Sequence, residues 1–248
     1  MNKKVKTGII AAVWILIWQL AAWVMDQPIV LVGPADVCRA LAEQIWQQEF
    51  WVTVLNSSIR ICGGFLAAFL AGIFAGITAG RFRLFAEFLE PAVTVLQSVP
   101  VASFVILALL WIGSENLSVL ISFFVVFPII YRNTLQGMAA PSSEFLEMAQ
   151  VYRLGAGKKF CYIYWPALFP YVSAGAKTAF AMAWKSGVAA EVIGVPASSI
   201  GEKLYLAKIY LSTAELFAWT LVLILVSKLL ESVFLRIFAL LDIRRRRG

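Results

Sequence analysis

Apolar residues run through this chain in long blocks rather than in narrow stripes. Six windows stand out, at residues 8–25, 57–80, 91–113, 117–131, 165–192 and 216–237, with short polar segments between them. Several approach or exceed the roughly 20 apolar residues that carry an α-helix across a bilayer. Their continuity excludes the apolar-polar alternation of a transmembrane β-barrel. The pattern predicts an all-α membrane protein with six transmembrane helices in a single domain over residues 1–248, and an even number of crossings puts both termini on one side.

The polar positions orient that bundle. Lys3, Lys4, Lys6, Arg81, Arg83, Arg132, Arg153, Lys158, Lys159 and Arg244–Arg247 all fall on the side of the termini. By the positive-inside rule that side is the cytoplasm, which predicts a multi-pass protein of the cell inner (plasma) membrane, in contact with lipid and with both termini inside. Lys203 and Lys208 then lie outside. The run at residues 8–25 is longer than a signal-peptide core and has no small-residue cleavage site, so it reads as a retained first span.

Within the blocks, spacing adds detail. Gly64, Ala68, Gly72, Gly76 and Gly80 recur every four positions, forming one small-residue face on which another helix of the same chain can approach closely. Between the first two windows, Pro34, Ala35 and Asp36 lead into Val37, Leu41 and Ile45, with Trp46 and Trp51 nearby. An outer interfacial helix and an ordinary loop both fit that segment.

Composition sharpens the class. The chain is 61% hydrophobic and 14% charged, against about a quarter charged in soluble domains. Its formal net charge of +7 sits between spans and at the C-terminus rather than on a soluble basic face, so nucleic acid is not the expected partner. There is no histidine, and Cys38, Cys62 and Cys161 have no CxxC spacing, which predicts no metal, no cofactor and no disulfide framework. No phosphate-binding Gly-rich loop with Lys-Ser/Thr is present, nor a nucleophile-base constellation, so neither ATP hydrolysis nor other catalysis is expected from this polypeptide and no catalytic residue is assigned.

A few polar groups lie at membrane depth, where an isolated charge costs at least about 2.5 kcal/mol. Gln97, Ser98 and Val99 precede the helix breaker Pro100, and Trp184, Lys185 and Glu191 fall in the fifth window. Ser98, Pro100, Trp184, Lys185 and Glu191 are therefore the candidate lining of a translocation path. A snorkelling role for Lys185 and a kink role for Pro100 fit the residues equally well. Lys185 and Glu191 are too far around a helix to neutralise each other, whereas Lys228 and Glu231, at i and i+3, have the spacing of a structural ion pair. Arg60 reads as a headgroup anchor at the outer end of the second span, and Arg236 lies at the cytoplasmic interface.

The polar stretch 142–166, SSEFLEMAQVYRLGAGKKFCYIYWP, predicts a short amphipathic helix: Ser142 and Ser143 open it, Glu144 and Glu147 suit its N-terminal half, and Gly155 and Gly157 end it. Glu147, Ala149, Ile163 and Pro166 fall at the spacing of the EAA loop of bacterial ABC importer permeases, and the chain resembles that family, in particular its nitrate, sulfonate and taurine branch. Two positions depart from the loop pattern. Arg153 stands where a Gly is usual, which weakens the expected turn, and Trp165 replaces the Leu before Pro166.

The resemblance implies a type I importer (MetI-like) permease fold with a cytoplasmic coupling helix, and it favours a helix at Pro34. It implies that Glu147, Met148, Ala149, Arg153 and Gly155 couple to an ATPase. The implied partners are two cytoplasmic ABC ATPase subunits, an extracytoplasmic substrate-binding protein and a second permease copy. The implied work is passage of a small solute, such as a nitrate-like or sulfonate-like anion or a thiamine-precursor-like molecule, by alternating access. A secondary transporter without an ATPase is the alternative, and the lack of internal repetition weighs against it.

Overall fold

In the computed structural model the backbone is described for residues 3–247 and the side chains for residues 5–240, so the charges at Lys3, Lys4 and Arg244–Arg247 lie outside the described side chains. Every regular element among the described residues is helical. The order is α1 (Lys3–Met25), α2 (Pro34–Ile45), α3 (Gln48–Arg81), α4 (Arg83–Ser98), α5 (Val101–Ile112), α6 (Leu117–Ala139), α7 (Ser143–Val151), α8 (Ala156–Lys159), a π-turn at Phe160–Tyr164, α9 (Trp165–Gly194), α10 (Ile200–Ile209) and α11 (Thr213–Arg247).

By length and composition, Val5–Met25, Gln48–Arg81 and Leu117–Ala139 are long and apolar enough to cross a membrane. The window read as one span at 91–113 is instead part of two helices, α4 and α5, which meet at 106° across the break at Val99 and Pro100. The cause is local: Pro100 has no N–H to continue the ladder, and it holds the preceding Val99 in extended conformation, with φ −74° and ψ 127°. The pair is a fourth crossing if it forms one broken span. The segment at 34–45 is a helix, with Pro34 in its first turn and Asp36 near its N-terminus.

The bundle is centred on α6, which packs against α3 on one side and α9 on the other. Glycines set both seams. A Cβ at Gly64 would stand 2.3 Å from the Val119 carbonyl oxygen, and one at Gly76 would stand 2.5 Å from the Thr134 Cβ. The small-residue face of α3 thus seats α6 within the same chain, as its spacing predicts. On the other seam a Cβ at Gly175 would meet the Asn133 side chain at 2.7 Å. Backbones this close gain dispersion contacts and weak Cα–H···O bonds, the principal means of holding helices together where water supplies no hydrophobic drive.

α11 joins by different means. Phe234 packs edge-on against Phe65 of α3, with ring centroids 4.9 Å apart, and Phe238 stacks on Phe169 of α9 at 5.1 Å. The predicted pair in α11 is formed, Lys228 Nζ lying 2.7 Å from Glu231 Oε2. α1 stands largely apart, tied by Trp18, whose indole N–H donates to the Val32 carbonyl at 3.0 Å and whose ring lies 5.7 Å from Phe217. Its exposed Trp14, Leu16, Leu20 and Trp23 present the apolar surface of a lipid-facing helix.

The two neighbouring glycines of α3 give a matched test. Gly64→Ala should destabilise the chain by about 1–3 kcal/mol, because the obstructing atom is backbone and cannot rotate away. Gly63→Ala, with open space around its Cβ, should be neutral or stabilise by up to about 1 kcal/mol through helix propensity. Denaturant titration in detergent micelles reads both, and equal effects at the two positions would contradict the seam.

Candidate functional site

The polar loop 142–166 builds a nine-residue helix, α7, whose two faces differ. Ala149 is 3% exposed, and Ile163 of the π-turn is buried as well. Glu147 and Met148 face outward, and Phe145, Val151 and Tyr152 leave large apolar surface uncovered beside them. An apolar patch with a carboxylate beside it, on a helix that projects from a membrane bundle, is suited to docking rather than to lipid.

α7 ends in a complete Schellman turn. The Leu154 N–H donates to the Ala149 carbonyl at 2.9 Å, and the Arg153 N–H donates to the Gln150 carbonyl at 3.0 Å. Arg153 carries the left-handed conformation this turn requires, at φ 51°. The substitution expected to weaken the turn therefore leaves it intact: the position needs a conformation, and Arg adopts it at a cost of about 1–2 kcal/mol relative to the right-handed region. Gly155 makes no such demand. It has φ −60° and ψ 154°, with no atom near a would-be Cβ, and serves as the N-cap of α8. From there α8, the π-turn and α9 run on without a loop, so the fifth predicted window is the continuation of a helix that starts at Ala156.

The predicted path residues separate. Lys185 is exposed on α9, and none of the described carboxylates lies within ion-pair distance of it. Trp184 is 2% exposed and belongs to the main hydrophobic core, turned away from Lys185 by the helical step of about 100°. Ser98 is exposed at the end of α4, where its hydroxyl donates to the Thr94 carbonyl at 2.8 Å, and Pro100 starts α5.

Glu191 is fully buried and serves a structural knot rather than an exposed lining. Its Oε2 accepts from the Ser57 hydroxyl of α3 at 2.7 Å and from the Gly201 N–H of α10 at 3.2 Å. The Ile200 N–H donates to the same Ser57 hydroxyl at 2.8 Å. The carboxyl thus closes the N-terminal end of α10, where free N–H groups favour an acceptor. A side chain at Gly201 would collide with it, since a Cβ there would lie 2.2 Å from the Glu191 Cβ. Arg60 is nearby and is not a free headgroup anchor: it pairs with Glu115, whose other oxygen accepts from the Ala197 N–H at 3.3 Å.

Sequence reading missed Ser57 and Gly201, whose roles arise from partners 134 and 10 positions from them. It also missed Lys177 and Thr178, both exposed on α9. A signal existed for Lys177, a charge in the middle of a long window, but only the packing shows which side of the helix it occupies.

Comparison with known proteins places these features in context. The family pattern described as "Binding-protein-dependent transport system inner membrane component" matches residues 68–247. The "Putative aliphatic sulfonates transport permease protein SsuC" of Bacillus subtilis is 28% identical over 227 residues, covering 90% of this chain and 82% of the relative. The nitrate import permease protein NrtB of Synechococcus elongatus is 27% identical over 193 residues, covering 73% and 68%. The bicarbonate transport system permease protein CmpB of Synechocystis is 28% identical over 146 residues, covering 58% and 51%.

Arg153→Gly should keep the turn and stabilise the chain by up to about 1 kcal/mol, whereas Arg153→Val, β-branched in a left-handed position, should destabilise it by about 1–2 kcal/mol. Thermal unfolding of the purified variants checks the order. A loss of stability with Gly would mean that the Arg side chain, not the backbone, holds the turn.

Proposed function

The chain belongs to the family of binding-protein-dependent transport system inner membrane components, and from that premise we propose that it is the permease subunit of an ATP-driven importer that carries a small anion into the cytoplasm. The observation that carries this reading is the α7 loop, a short helix with an uncovered face of Glu147, Met148 and neighbouring apolar side chains, on which Ala149 is buried. A transport family implies that this subunit is not itself an enzyme, and hydrolysis is assigned to a separate ATPase. The loop is then the coupling element: α7 sits in a groove of that ATPase, and closing of the ATPase dimer drives the helix and the bundle behind it.

The full assembly in this reading has two copies of the chain, two ATPases and an extracytoplasmic binding protein, because one bundle forms only half of an enclosed path. Each copy crosses the inner membrane six times, with α4 and α5 together as one broken crossing and both termini cytoplasmic. The basic residues Arg81, Arg83, Arg132, Arg153, Lys158 and Lys159 at the α7 end support that orientation. The cargo class is supported by relatives named for sulfonates, nitrate and bicarbonate, all anions, and by the exposed ammonium of Lys185. Alternating access moves the cargo: the path opens outward when the ATPases close and inward when they part.

Glu147→Lys should abolish cargo-stimulated ATP hydrolysis and uptake in the reconstituted complex while leaving the fold intact, since Glu147 is exposed. Normal coupling in that variant would refute the role of α7. Single-cysteine labelling in a background lacking Cys38, Cys62 and Cys161 should find positions 158 and 159 reactive from inside and positions 203 and 208 from outside. Labelling of position 203 from inside alone would overturn the six-crossing topology.

A further inference from the structure

The face of α9 that the bundle leaves open is not uniformly apolar: it carries two lysines. Half of the helix is packed against α3, α6 and α11, and the other half exposes Ala174, Lys177, Thr178, Lys185 and Ala189. Taking Lys185 as reference and a helical step of about 100°, Ala174, Thr178 and Ala189 lie within about 40° of it, and Lys177 lies about 80° to one side. The exposed half of α9 therefore mixes two ammonium groups and small side chains with the larger Tyr171, Met182 and Ile193, and differs from the Trp- and Leu-rich surface that α1 offers to lipid.

Depth makes this informative. α9 has 30 residues, about 45 Å of helix at 1.5 Å per residue. In the six-crossing reading, which takes α9 as a span centred on the bilayer, Lys177 lies about 4 Å and Lys185 about 8 Å from the midplane of a hydrocarbon layer about 30 Å thick. A Lys185 stem can stretch most of the way to an interface, but Lys177 is too deep to do so. None of the described carboxylates is within ion-pair distance of either ammonium, and the one carboxyl of α9, Glu191, is engaged on the packed side. A positive charge so placed needs water and a mobile counter-anion.

Resting on the permease reading, we propose that Lys177 is a second cationic station of the transport path, about 12 Å nearer the α7 end than Lys185, on an aqueous arc of α9 that passes anions and repels cations. The exposed residues between the stations are Thr178 and the unbranched, flexible Met182. Lys185 receives the anion in the outer half of the path and Lys177 attracts it past the midplane, so that neither station holds it alone.

The test needs no knowledge of the cargo. In the full chain without its native cysteines, a single cysteine at Ala174 or Ala189 is treated in membrane vesicles with two methanethiosulfonate reagents, the anionic sulfonatoethyl and the cationic trimethylammonioethyl compound. Both positions should react, and the anionic reagent should be favoured about threefold or more, the effect of one nearby charge in water. Lys177→Gln should remove that preference at position 174 and leave it at position 189, Lys185→Gln should do the converse, and Lys177→Arg should keep both. No reaction at position 174 with either reagent, or a preference there that survives Lys177→Gln, would overturn the station. The charge pattern found in a complex that hydrolyses ATP but takes up no nitrate, bicarbonate or alkanesulfonate would support the station and count against the importer reading alone.

Discussion

Close approach of three backbones is the constraint on which this structure depends. α6 lies between α3 and α9, and each seam is set where a glycine leaves no side chain, Gly64 and Gly76 on one side and Gly175 on the other. In a bilayer, moving an apolar side chain from lipid to protein gains little, so stability comes from contact density and from polar groups that find each other. Glycine supplies the first by letting main chains touch. The remaining elements attach by less demanding means, α11 through phenylalanine rings and α1 through one tryptophan.

The second requirement is met at the end of the bundle opposite α7. Glu191 Oε2, the Ser57 hydroxyl and the first N–H groups of α10 bond to one another inside the protein. The connection from α9 to α10 holds two non-glycine residues in left-handed conformation, Val195 at φ 48° and Ser198 at φ 51°. A β-branched residue in that region is strained, and such strain persists only where the surroundings over-determine it. Here they do: the Val195 N–H bonds to the Glu191 carbonyl at 2.7 Å and the Ser198 N–H to the Glu202 carboxylate at 2.7 Å. The carboxyl knot lies about 120° around α9 from Lys185 and near its C-terminal end, so the contacts that fix the helix are apart from that exposed ammonium.

Much of this was legible in the sequence because it follows from periodicity. Four-residue spacing gave the glycine face of α3, i to i+3 spacing gave the Lys228–Glu231 pair, and the serines before Glu144 gave the start of α7. What escaped depends on distant partners or on rotation about a helix axis. A hydropathy window averages over all sides of a helix, so it could not separate Trp184 in the core from Lys185 on the surface, one step apart. It also ran through Pro100, whose effect on Val99 turns the chain by more than a right angle. Glu191 looked like a path residue because its partner Ser57 lies on another helix and the N–H of Gly201 is invisible as a letter.

The turn at Arg153 bears on how such loops are recognised. Its hydrogen bonds and its positive φ are those a glycine would give, yet the amino acid is a long cation. A signature written in letters scores this position as a mismatch, while one written in backbone conformations, helical to Val151, left-handed at 153 and extended at Gly155, scores it as a match. Divergent members of a family can therefore drift out of reach of a residue pattern while keeping the same local shape, and a dihedral alphabet would recover them at the position where spelling is least faithful.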